Sequence, residues 1–342
     1  MKKNIIYIFS TFILVALIIF VWGYRTLYCV NVHPKKKQQA IYIPTGSSYQ
    51  QVLDTIESNF DIRNIKVLEW VAAKKDYPSR IKPGRYVIDS DLSYIELINI
   101  LRSGRQTSVR LTFNNIRTIS QLAGRVGIKL EADSMQILSF FSDDKNFKSG
   151  GFNQNDIIAL FIPNTYEFYW NTDANGFYKR MLKEYRQFWN EKRMSLARDR
   201  GLSPVEVSIL ASIIDDEVTK KDDKPGIAGV YLNRLKRGMP LQACPTIKFA
   251  LNDFTITRVL YKHLEVESPY NTYKHAGLPP GPIGCASVEG IDAVLNAEDS
   301  DYLFFAAKAD FSGYHHFSRT LAEHNHFAAL YQKELDRRRI FK

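Results

Sequence analysis

Three acids in a row, Asp215-Asp216-Glu217, close an apolar run, and the last stands where a core residue belongs. The run opens at Ser203-Pro204-Val205-Glu206. Ser203 and Glu206 have capping-box spacing, and Pro204 takes the first helical position, where its missing N–H costs nothing. At about 100° per residue, Val207, Ile209, Leu210, Ala211, Ile213, Ile214 and Val218 form one broad apolar arc. Glu217 falls near its middle, Asp216 at its edge and Asp215 on the polar side. Burying an ionised carboxylate is costly, so such a group finds partners or has its pKa raised. A glutamate that keeps its proton near neutral pH is what a general acid for glycosidic cleavage requires. The alternative is a helix-end glutamate paired with Lys220 or Lys221, and the wheel alone leaves the two equal.

Downstream lie three clusters of amide, hydroxyl and ring side chains. The first runs from Ala228 to Leu235 and on to Gly238-Met239-Pro240-Leu241-Gln242. The second is Tyr270-Asn271-Thr272-Tyr273 with Gly277-Leu278-Pro279-Pro280-Gly281-Pro282-Ile283, and the third spans His315 to Asn325. His315, His316 and His324 invite a metal reading, but no Cys, Asp or Glu stands at ligand spacing. No serine sits on a nucleophile-elbow sequence either. A carboxylate among amides, hydroxyls and rings suits a carbohydrate.

The elements that must position these groups follow an N-terminal apolar segment. Between Lys3 and Arg25, residues 4–24 carry no charge and span roughly 30 Å as a helix, one bilayer crossing. Trp22, Tyr24 and Tyr28 supply interfacial aromatics, and the run is too long, with too few small residues after it, for a cleaved signal. A retained single-span anchor is the expectation. Its orientation stays open on charge, because Lys2 and Lys3 precede it while Arg25 and Lys35-Lys36-Lys37 follow. The net charge of +10 favours an anionic neighbourhood, and no basic run interleaved with aromatics suggests nucleic acid.

Residues 25–40 read as a basic linker without regular structure, since Pro34 and three lysines fall there. An α+β module follows in the order strand, helix, helix, strand. Its parts are Ile41-Tyr42-Ile43, a helix started at Thr45-Gly46-Ser47-Ser48, a helix over 67–75, and a turn into a strand ending at Ile88. A helix over 92–101 is closed by Gly104. A strand at 108–113 and short helices near Ile119 make a connector, and one long helix is expected from about Asn175 to Arg198.

At its polar clusters the chain resembles the endolytic murein transglycosylases, the MltG or YceG-like family. The likeness covers nearly everything after the anchor and is strongest over 205–331. There the blocks ASIIDDE, IAGVYLNRL, GMPLQ, PYNTY, GLPPGPI and HHF-to-EHN stand in family order. The resemblance implies an α+β fold with residues 1–3 cytoplasmic, a LysM-like subdomain over 41–106, a connecting subdomain over 107–150 and a catalytic domain over 151–342. It implies a single-pass protein of the bacterial inner membrane with its catalytic domain on the periplasmic or wall side. The implied reaction cleaves peptidoglycan glycan strands internally between MurNAc and GlcNAc, leaves 1,6-anhydroMurNAc ends and so stops nascent strands growing. No metal or organic cofactor is implied; peptidoglycan synthases are expected partners, and nucleic acid is not.

By the same likeness Glu217 takes the catalytic position, and Asn233, Gln242, Tyr270, Asn271, Thr272, Tyr273, His315 and Asn325 line or brace the cleft. Asn233, Tyr273 and His324 could equally be satisfied core polar groups. A hydrolase leaving reducing ends and a non-catalytic wall-binding scaffold are the rival readings. Two positions depart from the family. Cys244 stands where an aspartate is usual, and Cys285 where proline or a small polar residue is usual. The implied compartment permits disulfides, so the two cysteines are expected either to pair or to remain buried free thiols.

Overall fold

In the computed structural model, which describes residues 2–338, one helix, α1 (Lys2–Tyr28), carries the apolar segment. Its stretch Ile6–Tyr28 is long and apolar enough to cross a membrane and is not buried by the rest of the chain. The helix therefore outruns the expected 4–24 span. Met1, within the expected cytoplasmic 1–3, and residues 339–342 at the end of the expected catalytic domain lie outside the described residues.

The mixed α+β chain divides into two units. One runs to Arg110 and takes in Lys129–Ala132 and Glu167–Thr172; the other holds Leu111–Ile128, Asp133–Tyr166 and the chain from Asp173 on. The expected 107–150 segment thus falls mostly within the second unit.

The first unit contains β1 (Val32–Pro34), β2 (Gln39–Ile43), α2 (Tyr49–Asn59), β3 (Phe60–Ile62), α3 (Ile65–Lys74), β4 (Gly84–Ile88) and α4 (Tyr94–Ser103). The strand–helix–helix–strand order is present, with β2 and β4 antiparallel and Ile41 opposite Tyr86. The sequence reading of 25–40 as irregular is corrected. α1 runs to Tyr28, and β1 pairs with β3, Pro34 at its end facing Phe60. Proline is tolerated there because an end residue of a two-stranded ribbon can do without its N–H. Ser48 and Ser93 start α2 and α4 through capping boxes with Gln51 and Glu96, and Gly104 ends α4 at φ +70°. Val32, Ile41, Ile43, Leu68, Tyr86 and Leu97 are core residues of this unit.

β5 (Val109–Phe113) follows and pairs with a later strand, β6 (Asn164–Phe168); between them lie α5 (Ile119–Gly127) and α6 (Ser134–Phe141). The long helix expected from Asn175 to Arg198 is instead two, α7 (Ala174–Phe188) and α8 (Glu191–Asp199). Asn190 caps α8, its side chain accepting from the Arg193 N–H, and Trp189 leaves helical geometry at ψ 60°. The period of 3.6 continues through a break that only the cap chemistry reveals.

Next come α9 (Pro204–Glu217), α10 (Lys224–Lys236), α11 (Cys244–Ala250), α12 (Tyr261–Leu264), α13 (Val288–Leu295), β7 (Phe304–Ala307), β8 (His315–Ser318) and α14 (Leu321–Arg337). α9 starts as the sequence indicates, with Ser203 and Glu206 in a capping box and Pro204 in the first turn. The apolar arc, however, is not one face. Every residue from Val207 to Ile214 is buried, and α8, α10, α11 and α13 all pack on α9. A helix enclosed on all sides is the axis of a core rather than its wall. Buried Ser208 and Ser212 satisfy their hydroxyls on the Pro204 and Ile209 carbonyls.

Candidate active site

The C-terminal end of α9 delivers three consecutive carboxylates into three different surroundings. Asp215 accepts from Lys224 Nζ at 2.6 Å, from the Ser287 N–H at 2.6 Å and from the Ser287 hydroxyl at 2.8 Å. Ser287 is the N-cap of α13, so Asp215 also meets the positive end of that helix. Gly290 makes room for it, since a Cβ there would come within 2.5 Å of the carboxylate. Asp216 takes both arms of the Arg117 guanidinium, one at 3.0 Å. The Glu217 carboxyl group has no hydrogen bond or ion pair among the described residues. The pairing with Lys220 or Lys221 left open by the sequence is not made: Lys221 bonds Glu289 and Lys220 lies over the Tyr314 ring.

Lys248 on α11 and Tyr231 on α10 both lie within electrostatic reach of Glu217. Burial lifts its pKa from the usual 4.5 to about 7; the Lys248 charge opposes the rise and Asp216 adds to it. Its place at the C-terminal end of α9, where the helix dipole is negative, acts in the same direction. Tyr231, Tyr273 and Cys244 are close enough for their charged forms to feel Glu217. Burial raises the pKa of all three. The Tyr273 hydroxyl and Cys244 Sγ are 3.2 Å apart. Gln242, at φ +54°, turns the chain into α11 in the left-handed region, a strained conformation for a non-glycine residue. Such an arrangement can hold a carboxyl group protonated at neutral pH, free to give its proton away.

Only some of the expected site residues gather here. Tyr273 does. Gln242 is exposed and accepts from Arg234, and Tyr270 packs its ring on Phe249 at 4.7 Å. Asn271 and Thr272 are buried braces. Asn271 donates to the Leu264 and Val266 carbonyls, while the Thr272 hydroxyl accepts from the Ala243 N–H. These bonds hold the second polar cluster against α11 (the Gln242 N–H also reaches the Thr272 carbonyl at 3.0 Å). Asn233 spends its amide on the Ser300 and Tyr302 carbonyls.

His315 is fixed by Asp223, Nδ1 to Oδ2 at 2.7 Å, and Asn325 is exposed on α14 without a side-chain hydrogen bond among the described residues. The three histidines of the third cluster are held apart in separate contacts: His316 stacks on Phe327, and His324 on Phe304. Sequence reasoning passed over Tyr231 and Lys248. Lys248 stands four residues after Cys244, one helical turn along the same face of α11, which is a signal a wheel drawn on α11 would have given.

Of the two outcomes left open for Cys244 and Cys285, the disulfide is not formed. All three cysteines are free. Cys244 faces Tyr273, whereas the Cys285 sulfur lies toward the Ile158 carbonyl at 3.9 Å and its N–H is held by Ile116. These are separate packing environments, so the bland alternative holds. Adding reductant is expected to leave the melting temperature unchanged, and three thiols should titrate in denaturant without it. A melting temperature that drops on reduction would show a bond after all.

A family model described as the YceG-like family matches residues 41–329. An endolytic murein transglycosylase of Bacillus subtilis (strain 168) is 31% identical over 301 residues, covering 83% of this chain and 82% of that protein. One of Streptococcus pneumoniae (strain ATCC BAA-255 / R6) is 27% identical over 307 residues, covering 80% of this chain and 54% of that protein. A yceG-like protein of Listeria monocytogenes, solved at 2.6 Å, superposes with a TM-score of 0.56 at 28% identity. The alignment covers 85% of this chain and 99% of that one.

Proposed function

The chain belongs to the YceG-like family, and on that premise we propose that it is an endolytic murein transglycosylase in which Glu217 is the acid and the base. The observation that carries this reading is the inequality of the three acids: Asp215 and Asp216 are neutralised by Lys224 and Arg117, while Glu217 is left unpaired with its pKa at about 7. Protonated Glu217 gives its proton to the glycosidic oxygen as the bond to C1 of a muramic acid unit breaks. The carboxylate then takes the proton of that sugar's C6 hydroxyl, whose oxygen closes a 1,6-anhydro ring on C1. One proton leaves and one returns, and no water is consumed. The nucleophile belongs to the substrate, so a second free carboxylate at hydrolase spacing is unnecessary.

The remaining assignments are proposals that this reading supports. Tyr273, Tyr270 and Gln242 border the sugars; Asn233, Asn271, Thr272 and His315 brace the walls, and Asn325 is an outer contact. Residues 41–106 serve as a LysM-like wall-binding module, 107–150 as a connector and 151–342 as the catalytic region. α1 fits a single-pass anchor by length and composition. Inner-membrane placement with the N-terminus cytoplasmic, and peptidoglycan synthases as partners, rest on the family likeness.

Incubating the detergent-solubilised full chain with purified peptidoglycan tests the reaction. Mass spectrometry should find new termini lighter than hydrolytic ones by one water, and strand length should fall before small fragments accumulate. Termini that are all reducing ends would make the protein a hydrolase instead. The pH profile carries its own expectation. Because the free enzyme must hold the proton, kcat/KM should decline as pH rises through about 7. A profile flat from pH 6 to 8, roughly one unit either side, would rule out an acid of that pKa.

A further inference from the structure

Tyr231 stands in the middle of α10 with 1% of its surface exposed, and its hydroxyl has no hydrogen-bond partner among the described residues. Buried hydroxyls are ordinarily paired, so one left alone calls for a reason. Mobility does not supply it. Phe305 meets the ring edge-on with centroids 5.6 Å apart. α10 is seated by Gly226 against Phe317 and Gly229 against the Glu298 carbonyl, where a Cβ would come within 2.7 and 2.5 Å. One turn along, Asn233 and Arg234 are bonded to the carbonyls of Ser300, Tyr302, Leu303 and Leu241. The helix cannot roll to find the hydroxyl a partner.

The groups whose charges reach the Tyr231 hydroxyl are Glu217, Arg234, Tyr273 and Cys244. Arg234 is spent on backbone carbonyls and Gln242, and Tyr273 and Cys244 are paired with each other. That leaves two unpartnered polar groups in one corner, Tyr231 and Glu217. A tyrosine hydroxyl can bond a neutral carboxyl group, and it donates about twice as strongly to a carboxylate.

We infer that Tyr231 is a positioning residue for the glycan-cleaving reaction: its hydroxyl donates to the Glu217 carboxylate that exists between proton donation and proton recovery. The bond holds the charged oxygen in place for the C6 hydroxyl while the sugar rearranges. It gains its full strength when Glu217 ionises, because a carboxylate is the stronger acceptor. This inference rests on the transglycosylase reading of Glu217.

Tyr231→Phe in the full chain tests it, since the change removes one unpaired atom and keeps the ring. Expected is a kcat about ten- to a hundredfold lower, the worth of a hydrogen bond to a charged group, with KM within about twofold. The descending limb of the pH profile should move to higher pH, because the charged form of Glu217 has lost a donor. The melting temperature should stay level or rise, which a structural role would not allow. Unaltered kcat with an unmoved limb would overturn the inference, and so would a lowered melting temperature at full activity per folded molecule. Failure of the unaltered chain to cleave would sink the transglycosylase reading and this inference together, whereas normal cleavage by Tyr231→Phe sinks this inference alone.

Discussion

Glu217→Gln is expected to lower glycan cleavage by about 10³–10⁴-fold and, above neutral pH, to yield a more stable protein. General acid–base assistance is worth about 10²–10⁴-fold, and one group here serves both proton transfers, so the loss belongs at the upper end. The amide keeps the shape and forfeits no bond, because Glu217 has no partner among the described residues. Its stability effect has a definite sign. The folded-state pKa of about 7 lies above the usual 4.5. Between those values the folded chain holds a proton that the unfolded chain has released, so the native protein loses stability as pH rises through the window. Glutamine does not titrate, and the variant should gain on the native chain by something on the order of 3 kcal/mol at pH 8 while nearly matching it near pH 4.5. Melting both proteins at the two pH values, beside the cleavage assay, separates the outcomes. A variant that still cuts strands, or a stability gap that ignores pH, would remove Glu217 from its role.

Asp215→Ala should cost about 3–5 kcal/mol, the range for stripping one partner from a buried ion pair. Its side chain is 18% exposed and that of Lys224 only 8%, so the alanine variant leaves a buried ammonium without the carboxylate bonded to it. It also frees the Ser287 N–H and hydroxyl at the start of α13, loosening the joint among α9, α10 and α13. Asp215→Asn retains an acceptor for Ser287 but not the charge, and should fall between. Removing both charges, as Asp215→Ala with Lys224→Ala, should recover part of the loss. Asp216→Asn, breaking a pair near the surface, should cost about 1 kcal/mol or less and spare the chemistry. Denaturant titration checks the series, and a loss below about 1 kcal/mol for Asp215→Ala would show the pair to be idle.

The wheel put Asp215 on the polar side, and there the sequence misled. Its partners, Lys224 and Ser287, are brought to it by the packing of α10 and α13, which no local period encodes. What local chemistry controls was legible: the capping box at Ser203, the helix start at Ser48, the glycine stop at Gly104, and the separation of Glu217 from its acidic neighbours along the helix; the capping box at Ser93 was there to read and was passed over. The break between α7 and α8 hid behind an uninterrupted helical period, and β1 hid behind a proline and a run of lysines. Asn271 and Thr272 stood in a conspicuous motif, yet they are conspicuous as braces, because tight turns against α11 need the same amides and hydroxyls that a sugar would. Tyr231 went unnoticed for the opposite reason. Inside an apolar stretch a tyrosine reads as one more ring, and only an unsatisfied hydroxyl in three dimensions sets it apart.

The joint between α1 and β1 bears on where this protein can work. Only Cys29, Val30 and Asn31 separate the helix from the strand. Asn31 closes the helix end by donating to the Thr26 and Cys29 carbonyls, its N–H reaches the Leu92 carbonyl, and Leu27 packs into the first unit's core. At 1.5 Å per residue α1 is about 40 Å long, against roughly 30 Å of hydrocarbon. A head on a floppy leash would sample a dome above the bilayer, its radius growing with the square root of the leash length. A head welded to a mast keeps one altitude and explores only by sliding sideways with the anchor. If α1 is the membrane anchor proposed above, so short a joint holds the first unit in a thin layer next to the lipid and keeps it from anything farther out. Splicing a run of glycine and serine between Tyr28 and Val32 would turn the mast into a leash and trade that fixed altitude for range.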